Sequence, residues 1–171
     1  MSAALPLPAS GVLRGGTHLL PVRVYYEDTD AGGIVYHATY LRFAERARTE
    51  MLRSVGIDLI RLREDHGLAF VVRRGEIDYQ RAARLDDMLV VQSDLIEMGG
   101  ATATISQVIR RLTPEQDLGE NLVTFRAHVA CMQVSGRAGR LPPDVRARMK
   151  TLMDSHSSTP ARSNEQDRKH G

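Results

Sequence analysis

Two aspartates, two glycines and a histidine lie close together and are the strongest candidates for chemistry in this sequence. Asp28 and Asp30 precede the pair Gly32-Gly33, and His37 follows where a helical pattern opens. At the N-terminus of a helix, backbone N–H groups point outward and the helix dipole favours negative charge. Glycine lets a ligand approach the main chain closely. We therefore predict a site for an oxyanion, with the carboxylate of Asp30 beside it.

Hydrophobic periodicity predicts the elements on either side of this stretch. Leu20, Val22 and Val24 alternate with other residues, the pattern of a half-buried strand that begins at His18 and runs to the turn. A helix of about four to five turns follows the glycines and ends at Gly56. Its apolar positions recur at helical spacing and are Tyr40, Phe43, Ala44, Ala47, Met51 and Val55.

The remainder of the chain reads mainly as strands. A short helix from Asp58 to about Asp65 comes first, and a last helix runs from Pro142-Pro143 to about Leu152. The predicted strands between them are Leu68 to Tyr79 with a bulge at Gly75, Met88 to Met98, Ala101 to Leu112 and Leu122 to Val134. One long helix among five strands predicts an α+β fold with a curved, mainly antiparallel sheet.

Composition predicts one domain over residues 18–152, between a flexible N-terminal extension (1–17) and a disordered tail (153–171). The 171 residues are 42% hydrophobic, which suffices for a core. A net charge of +2 indicates no nucleic-acid binding, and the single Cys131 excludes an internal disulfide. The first twenty residues resemble neither a secretory signal nor a membrane span, so we expect a soluble, cytoplasmic protein.

Several site types are excluded by spacing. An EF-hand requires ligands where this chain has Gly32 and Thr39. The turn has neither a dinucleotide fingerprint nor a P-loop, and the chain has no G-x-S-x-G or H-E-x-x-H motif. Two structural readings remain open from spacing alone. In the first, Asp30 only forms an Asx turn ahead of the glycines; in the second, His37 fills a polar pocket.

The sequence from Val24 to Arg48, VYYEDTDAGGIVYHATYLRFAERAR, resembles the signature of hotdog-fold acyl-CoA thioesterases of the 4-hydroxybenzoyl-CoA thioesterase type. Within these it is most similar to the Tol–Pal-associated, YbgC-like branch. The resemblance covers about residues 20–140. It implies a long central helix wrapped by the sheet, thioester hydrolysis without a metal or a cofactor, and sites formed between subunits of a homodimer or homotetramer. Coenzyme A is then part of the substrate, and acyl carrier protein is a further candidate partner.

The resemblance also implies roles for individual residues. Asp30 matches the catalytic aspartate, and the N–H of His37 matches the oxyanion donor. The motif tyrosine and histidine fall on Tyr26 and His37. The residues expected to bind substrate are thus Tyr26, Val35 and Tyr36. Asp30 can act as nucleophile or as general base, and the sequence leaves both roles open.

Other readings of the same residues are a non-catalytic hotdog scaffold and a dehydratase that uses His37 with Glu45. The retained carboxylate of Asp30 favours a hydrolase over both. The hydrolase hypothesis requires that this carboxylate face the same cavity as the amides at the start of the long helix. The phosphates of coenzyme A are expected to meet arginines around a strand end, and the candidates are Arg73, Arg74, Arg81 and Arg84.

Overall fold

The computed structural model describes residues 8–154 and shows a six-stranded antiparallel sheet packed against one long helix. The strands are Val12–Arg14 (β1), Thr17–Arg23 (β2), Leu68–Tyr79 (β3), Met88–Met98 (β4), Thr102–Leu112 (β5) and Leu118–Gln133 (β6). The helices are His37–Ser54 (α1), Leu59–His66 (α2) and Pro143–Asp154 (α3), with a 3₁₀ turn at Tyr26–Asp28. The predicted α+β class and mainly antiparallel sheet are confirmed.

Helix α1 packs its apolar stripe against the sheet. Phe43, Ala44, Ala47 and Met51 are fully buried, as their helical spacing predicts. The two alanines carry small side chains, which allow the helix and the sheet to approach closely. The helix has 18 residues, or about five turns. Gly56 follows it with φ of +76°, a left-handed conformation that glycine adopts without strain and that stops the helix where predicted.

The strand order β1-β2-β4-β5-β6-β3 places β3 at an edge of the sheet. Strand β3 comes after α1 and α2 in the chain and pairs only with β6, although β4 follows it in sequence. Its outer N–H and C=O groups therefore have no partner strand within residues 8–154. A long unpaired edge is a surface on which another strand can pair.

The N-terminal part of the sheet differs from the prediction. We expected residues 1–17 to form a flexible extension, but residues 12–14 form β1 and pair with the beginning of β2. Gly15 and Gly16 have φ of +54° and +84° and make the tight turn between these strands. A three-residue edge strand is too short to show periodicity.

Both predicted termini extend beyond the described residues. Residues 1–7 and the predicted tail from residue 155 lie outside them, whereas residues 153–154 belong to α3.

The strand before the candidate site is shorter than predicted. It ends at Arg23 rather than continuing to the turn, because the Asp28 carboxylate accepts a hydrogen bond from the Tyr25 N–H at 2.9 Å. This bond folds residues 26–28 into the 3₁₀ turn. The chain therefore changes direction before it reaches Asp30.

The predicted bulge at Gly75 is wrong. The register of β3 against β6 shifts between Val72 and Arg74, so Arg73 is the extra residue. Gly75 pairs normally and makes room for an aromatic ring instead. A Cβ at this position would lie 2.6 Å from the ring of Phe125.

The core divides into two clusters along α1. One surrounds the second half of the helix and includes α2 and α3. The other surrounds the first half, where Tyr40, Phe43 and Ala47 pack with Val24 and Val35. This second cluster anchors both ends of the glycine turn, so it sets the position of the turn relative to the start of α1.

Candidate active site

The glycine turn is a closed loop that brings Asp30 back beside the start of α1. The Asp30 N–H donates to the Ile34 carbonyl at 2.9 Å, and the Gly33 N–H donates to the Asp30 carbonyl at 3.0 Å. Gly33 has φ of +72°, which a residue with a side chain rarely adopts. Behind the loop, the Tyr36 N–H donates to the Asp28 carbonyl at 2.9 Å. Two short backbone segments therefore run side by side into the helix.

The Asp30 carboxylate is oriented by this loop and is exposed on the surface of the single chain. Its Oδ1 accepts a hydrogen bond from the Gly32 N–H at 2.8 Å, which is an Asx turn. Its Oδ2 has no hydrogen-bond partner within residues 8–154. The Asx turn considered from the sequence is thus present on one carboxylate oxygen, and the other oxygen is open to a ligand. The condition that this carboxylate face a cavity shared with the helix amides stays a prediction.

The first turn of α1 carries two N–H groups with no acceptor among the described residues, those of His37 and Ala38. The next N–H, that of Thr39, donates to the Tyr36 carbonyl at 2.8 Å. No side chain caps this helix. Unpaired amides at a helix N-terminus attract an anion or a polarised carbonyl oxygen. The structure thus places two such donors in the segment that follows the Asp30 loop.

His37 is exposed and lies among aromatic rings. Its ring centroid is 4.3 Å from that of Tyr36 and 6.3 Å from that of Tyr79. The Tyr79 hydroxyl donates to the His37 carbonyl at 3.0 Å. Burial raises the pKa of Tyr79, so the hydroxyl keeps its proton at neutral pH. Tyr79 therefore holds the first turn of α1 in place.

Sequence analysis did not identify Tyr79 as a site residue. It is the last residue of β3 and lies far from His37 in the chain. Its position at the end of a predicted strand was the only available signal. That signal does not show which helix residue the strand end meets.

The loop after β3 also contacts the start of α1. The Ala83 carbonyl accepts a hydrogen bond from the Val35 N–H at 2.9 Å, and the Ala83 N–H donates to the Tyr40 hydroxyl at 2.8 Å. Burial raises the pKa of Tyr40, so this hydroxyl is also protonated at neutral pH. These contacts bring the loop that carries Arg81 and Arg84 next to the candidate site.

The three predicted substrate-binding residues occupy different environments. Tyr26 and Tyr36 are exposed, with 82% and 47% of their surface accessible, so both rings are open to a ligand. Val35 is not: its side chain is buried in the core, and its N–H is bonded to Ala83. Val35 therefore packs beneath the loop in the single chain, and its expected role in substrate binding stays a prediction.

The four candidate arginines do not lie together. Arg73 and Arg74 are in the middle of β3, where Arg74 pairs with Glu76 at 2.9 Å. Arg81 and Arg84 are in the loop that contacts the start of α1 and are exposed. Only this second pair is adjacent to the site.

Residues 32–117 match the family model of the thioesterase superfamily, which is half of the chain. The chain belongs to this superfamily. The match includes the glycine pair, α1, α2 and the strands from β3 to β5. Together with the central helix and the antiparallel sheet, it identifies the fold as the hotdog fold of these thioesterases.

Individual members of the superfamily are similar to this chain. The acyl-CoA thioesterase YbgC of Haemophilus influenzae is 56% identical over 93 residues, which cover 54% of this chain and 68% of that protein. The crystal structure of a probable thioesterase from Bartonella henselae is 38% identical, with a TM-score of 0.67 over 74% of this chain and 99% of that one. A 4-hydroxybenzoyl CoA thioesterase variant with bound 4-hydroxybenzoyl CoA matches in fold, with 17% identity and a TM-score of 0.72 over 78% and 99%.

Two further properties concern the described part of the thioesterase domain. Within residues 8–154, no helix combines the length and the apolar character needed to cross a bilayer. The same residues contain no group of three or more His, Cys, Asp or Glu side chains placed to hold a metal ion. The absence of a cofactor stays a prediction.

Proposed function

We propose that this protein hydrolyses acyl-CoA thioesters to a free acid and coenzyme A. The observation that carries the proposal is the pair of N–H groups of His37 and Ala38. They have no hydrogen-bond acceptor within residues 8–154, and they follow the Asp30 loop directly. Membership in the thioesterase superfamily and the name of the H. influenzae relative support the same activity.

In this mechanism the thioester carbonyl oxygen binds at the start of α1. Negative charge develops on this oxygen as the carbonyl carbon becomes tetrahedral, and the two N–H groups stabilise that charge. One such donor contributes about 2.7–4 kcal/mol to transition-state stabilisation. The hydrogen bond from Tyr79 to the His37 carbonyl keeps the helix turn in position during the reaction.

Asp30 supplies the second half of the chemistry in either of two ways. As a nucleophile, its free Oδ2 attacks the carbonyl carbon, the C–S bond breaks, the thiolate leaves, and water then hydrolyses the acyl-aspartyl anhydride. As a general base, Oδ2 removes a proton from water, the hydroxide attacks the carbonyl carbon, and the C–S bond then breaks as the thiolate leaves. Both routes yield one acid and one thiol. A single turnover in ¹⁸O-labelled water that leaves ¹⁸O on Asp30, read by mass spectrometry of the protein, identifies the nucleophilic route, because water that attacks the aspartyl carbonyl of the anhydride leaves its oxygen there.

We also propose that the working enzyme is a homodimer or a homotetramer. In the single chain the Asp30 carboxylate and the His37 side chain are exposed, and β3 presents an unpaired edge. A second copy is therefore needed to shield the thioester from bulk water. Light scattering at working concentration is expected to give two or four times the mass of the chain.

The test of the proposed function is thiol release from a panel of short, long and aromatic acyl-CoAs, followed with a thiol reagent. We expect release from at least one substrate, with equal amounts of acid and thiol formed. A protein that releases no thiol from any member, but binds acyl carrier protein tightly, is a scaffold. Loss of water from a 3-hydroxyacyl substrate without thiol release is the result expected of a dehydratase.

Arg84 is expected to bind the phosphates of coenzyme A. It lies in the loop that contacts α1, and its side chain has no ion pair within residues 8–154. Replacement with alanine is expected to raise KM for an acyl-CoA about fivefold with little change in kcat, because an exposed charge pair contributes modestly to binding in both ground and transition states. Steady-state kinetics with acyl-CoA and with the matching acyl-pantetheine measure this effect.

The pantetheine substrate lacks the nucleotide phosphates, so its KM should not respond to Arg84→Ala. Arg137→Ala is the matched control, since Arg137 is also exposed, has no ion pair within residues 8–154 and lies in the turn after β6, away from the site. An equal rise of KM for both substrates would show that Arg84 acts on the shape of the site and not on the phosphates.

A further inference from the structure

A cavity of about 730 Å³ lies between α1, α2 and β3, apart from the Asp30 loop. Its lining is mainly apolar and includes Leu52, Leu62, Ile105 and Val129. This size and character suit a small organic group rather than water. The mechanism above assigns nothing to this cavity.

The cavity lies beside α1 and begins about two turns beyond the candidate oxyanion donors. His37, Leu41, Glu45 and Thr49 follow at four-residue intervals, so their side chains form one stripe along the helix. The first belongs to the candidate site, and the last two line the cavity. The helix rises about 12 Å from His37 to Glu45, which an extended chain of about ten carbons can span.

One charged group in the lining is buried. Arg48 is only 7% exposed, and its guanidinium stacks 5.4 Å from the ring centroid of Phe125. Its Nη1 donates to the Gln107 side-chain oxygen at 2.6 Å, and its Nη2 donates to Glu45. Gln107 is locked in this orientation, because its own amide nitrogen donates to the Ala44 carbonyl and to the Ser93 hydroxyl, both at 2.9 Å.

Arg48 keeps hydrogen-bond donors to spare. A guanidinium has five N–H groups, and acceptors within residues 8–154 take two of those of Arg48. Because Arg48 lines the cavity, its remaining N–H groups can donate to an oxygen of a ligand bound there. The charged lining residues are two arginines, Arg48 and Arg63, and two glutamates, Glu45 and Glu64, so their charges cancel. The matching ligand therefore offers a neutral oxygen rather than a carboxylate.

We propose that this cavity binds the acyl group of the substrate and that Arg48 selects acyl groups carrying a hydroxyl or an oxo oxygen far from the thioester. The inference rests on the proposed function, because it takes the ligand to be the acyl part of a CoA thioester. Arg48 is a specificity-determining residue in this scheme. Glu45 excludes acyl groups that end in a carboxylate.

The test compares acyl-CoAs of 6, 8, 10 and 12 carbons, each in its plain, ω-hydroxy and ω-carboxy form. For the wild type we expect kcat/KM of the hydroxy form to exceed that of the plain form about tenfold at the length that reaches Arg48, as one hydrogen bond to a charged group provides. Arg48→Met should remove this preference. Glu45→Gln should raise kcat/KM of the carboxy form relative to the plain one.

A second variant covers the case in which Arg48→Met does not fold. Thr49→Leu narrows the cavity without removing a hydrogen bond of Arg48 and should lower the ratio of kcat/KM for decanoyl-CoA to that for acetyl-CoA about tenfold. Ala138→Leu is the matched control, because Ala138 is exposed and does not line the cavity.

The outcomes separate the possible failures. Equal kcat/KM for the plain and hydroxy forms at every length, with an unchanged ratio in Thr49→Leu, overturns the inference while the hydrolase remains. A change of oligomer mass in Thr49→Leu with an unchanged chain-length profile also overturns it, since the cavity would then be a contact between copies. A wild type that hydrolyses no member of the panel, acetyl-CoA included, instead refutes the proposed function.

Discussion

Replacement of Asp30 by asparagine is expected to lower kcat for thioester hydrolysis by about 10²- to 10⁴-fold, the usual contribution of a positioned carboxylate. The fold should survive, because the asparagine side-chain oxygen can still accept the hydrogen bond from the Gly32 N–H that forms the Asx turn. What the amide lacks is a charged oxygen that can attack carbon or accept a proton from water. Thiol release measured at saturating substrate tests this prediction.

Asp58→Asn is the matched control for this substitution. Asp58 caps α2, and its carboxylate accepts hydrogen bonds from the N–H groups of Ile60 and Arg61, so it undergoes the same chemical change in a similar setting away from the site. Asparagine is a good N-cap, so both variants should unfold within a few degrees of the wild type. If Asp30→Asn turns over at the wild-type rate, neither the nucleophilic nor the general-base mechanism is correct.

The parts of the candidate site that were predicted from sequence are those with short-range causes. The Asp30 turn and the amides of His37 lie within a few residues of one another, and glycine, aspartate and a helical pattern each have a local structural meaning. The Asx turn was one of two alternatives left open, and the structure shows it on one carboxylate oxygen. Local chemistry therefore sufficed to find this segment.

The parts that were missed depend on contacts between distant residues. Tyr79 reaches the His37 carbonyl only because β3 ends beside the start of α1, and sequence periodicity gives no sheet order. The same holds for Gln107. A strand pattern predicts that this polar residue faces the core, but it does not identify Arg48 as the hydrogen-bond partner. Periodicity shows which face is buried, whereas the identity of the partner across that face depends on strand order and register.

The environment of Val35 also depends on contacts between distant residues. The family resemblance places it between the glycines and His37, next to the residues that would contact a substrate. In the structure the loop turns the Val35 side chain into the core, and the Val35 N–H donates a hydrogen bond to the Ala83 carbonyl. A residue can therefore lie inside a functional motif and act by packing, since alternate side chains of an extended segment point to opposite sides.

The oxyanion donors allow a second test with a large effect, because His37 is the first residue of α1. Proline is well tolerated at the first helical position, where its fixed φ suits the helix and no intrahelical bond needs its N–H. The preceding residue must be extended, and Tyr36 meets this requirement with φ of −58° and ψ of 133°. His37→Pro thus removes the proposed donor while the helix keeps its start.

The comparison that isolates the donor is His37→Pro against His37→Ala. Both lose the imidazole, but only proline also loses the N–H, so their ratio reports on the backbone group alone. We expect kcat of His37→Pro to be about 10²- to 10³-fold below that of His37→Ala, the usual effect of one oxyanion donor. Equal kcat values in two variants with the same helix content by circular dichroism would mean that the His37 N–H does not bind the carbonyl oxygen. If kcat of His37→Ala is already as low as that of His37→Pro, the imidazole and not the backbone N–H stabilises the oxyanion.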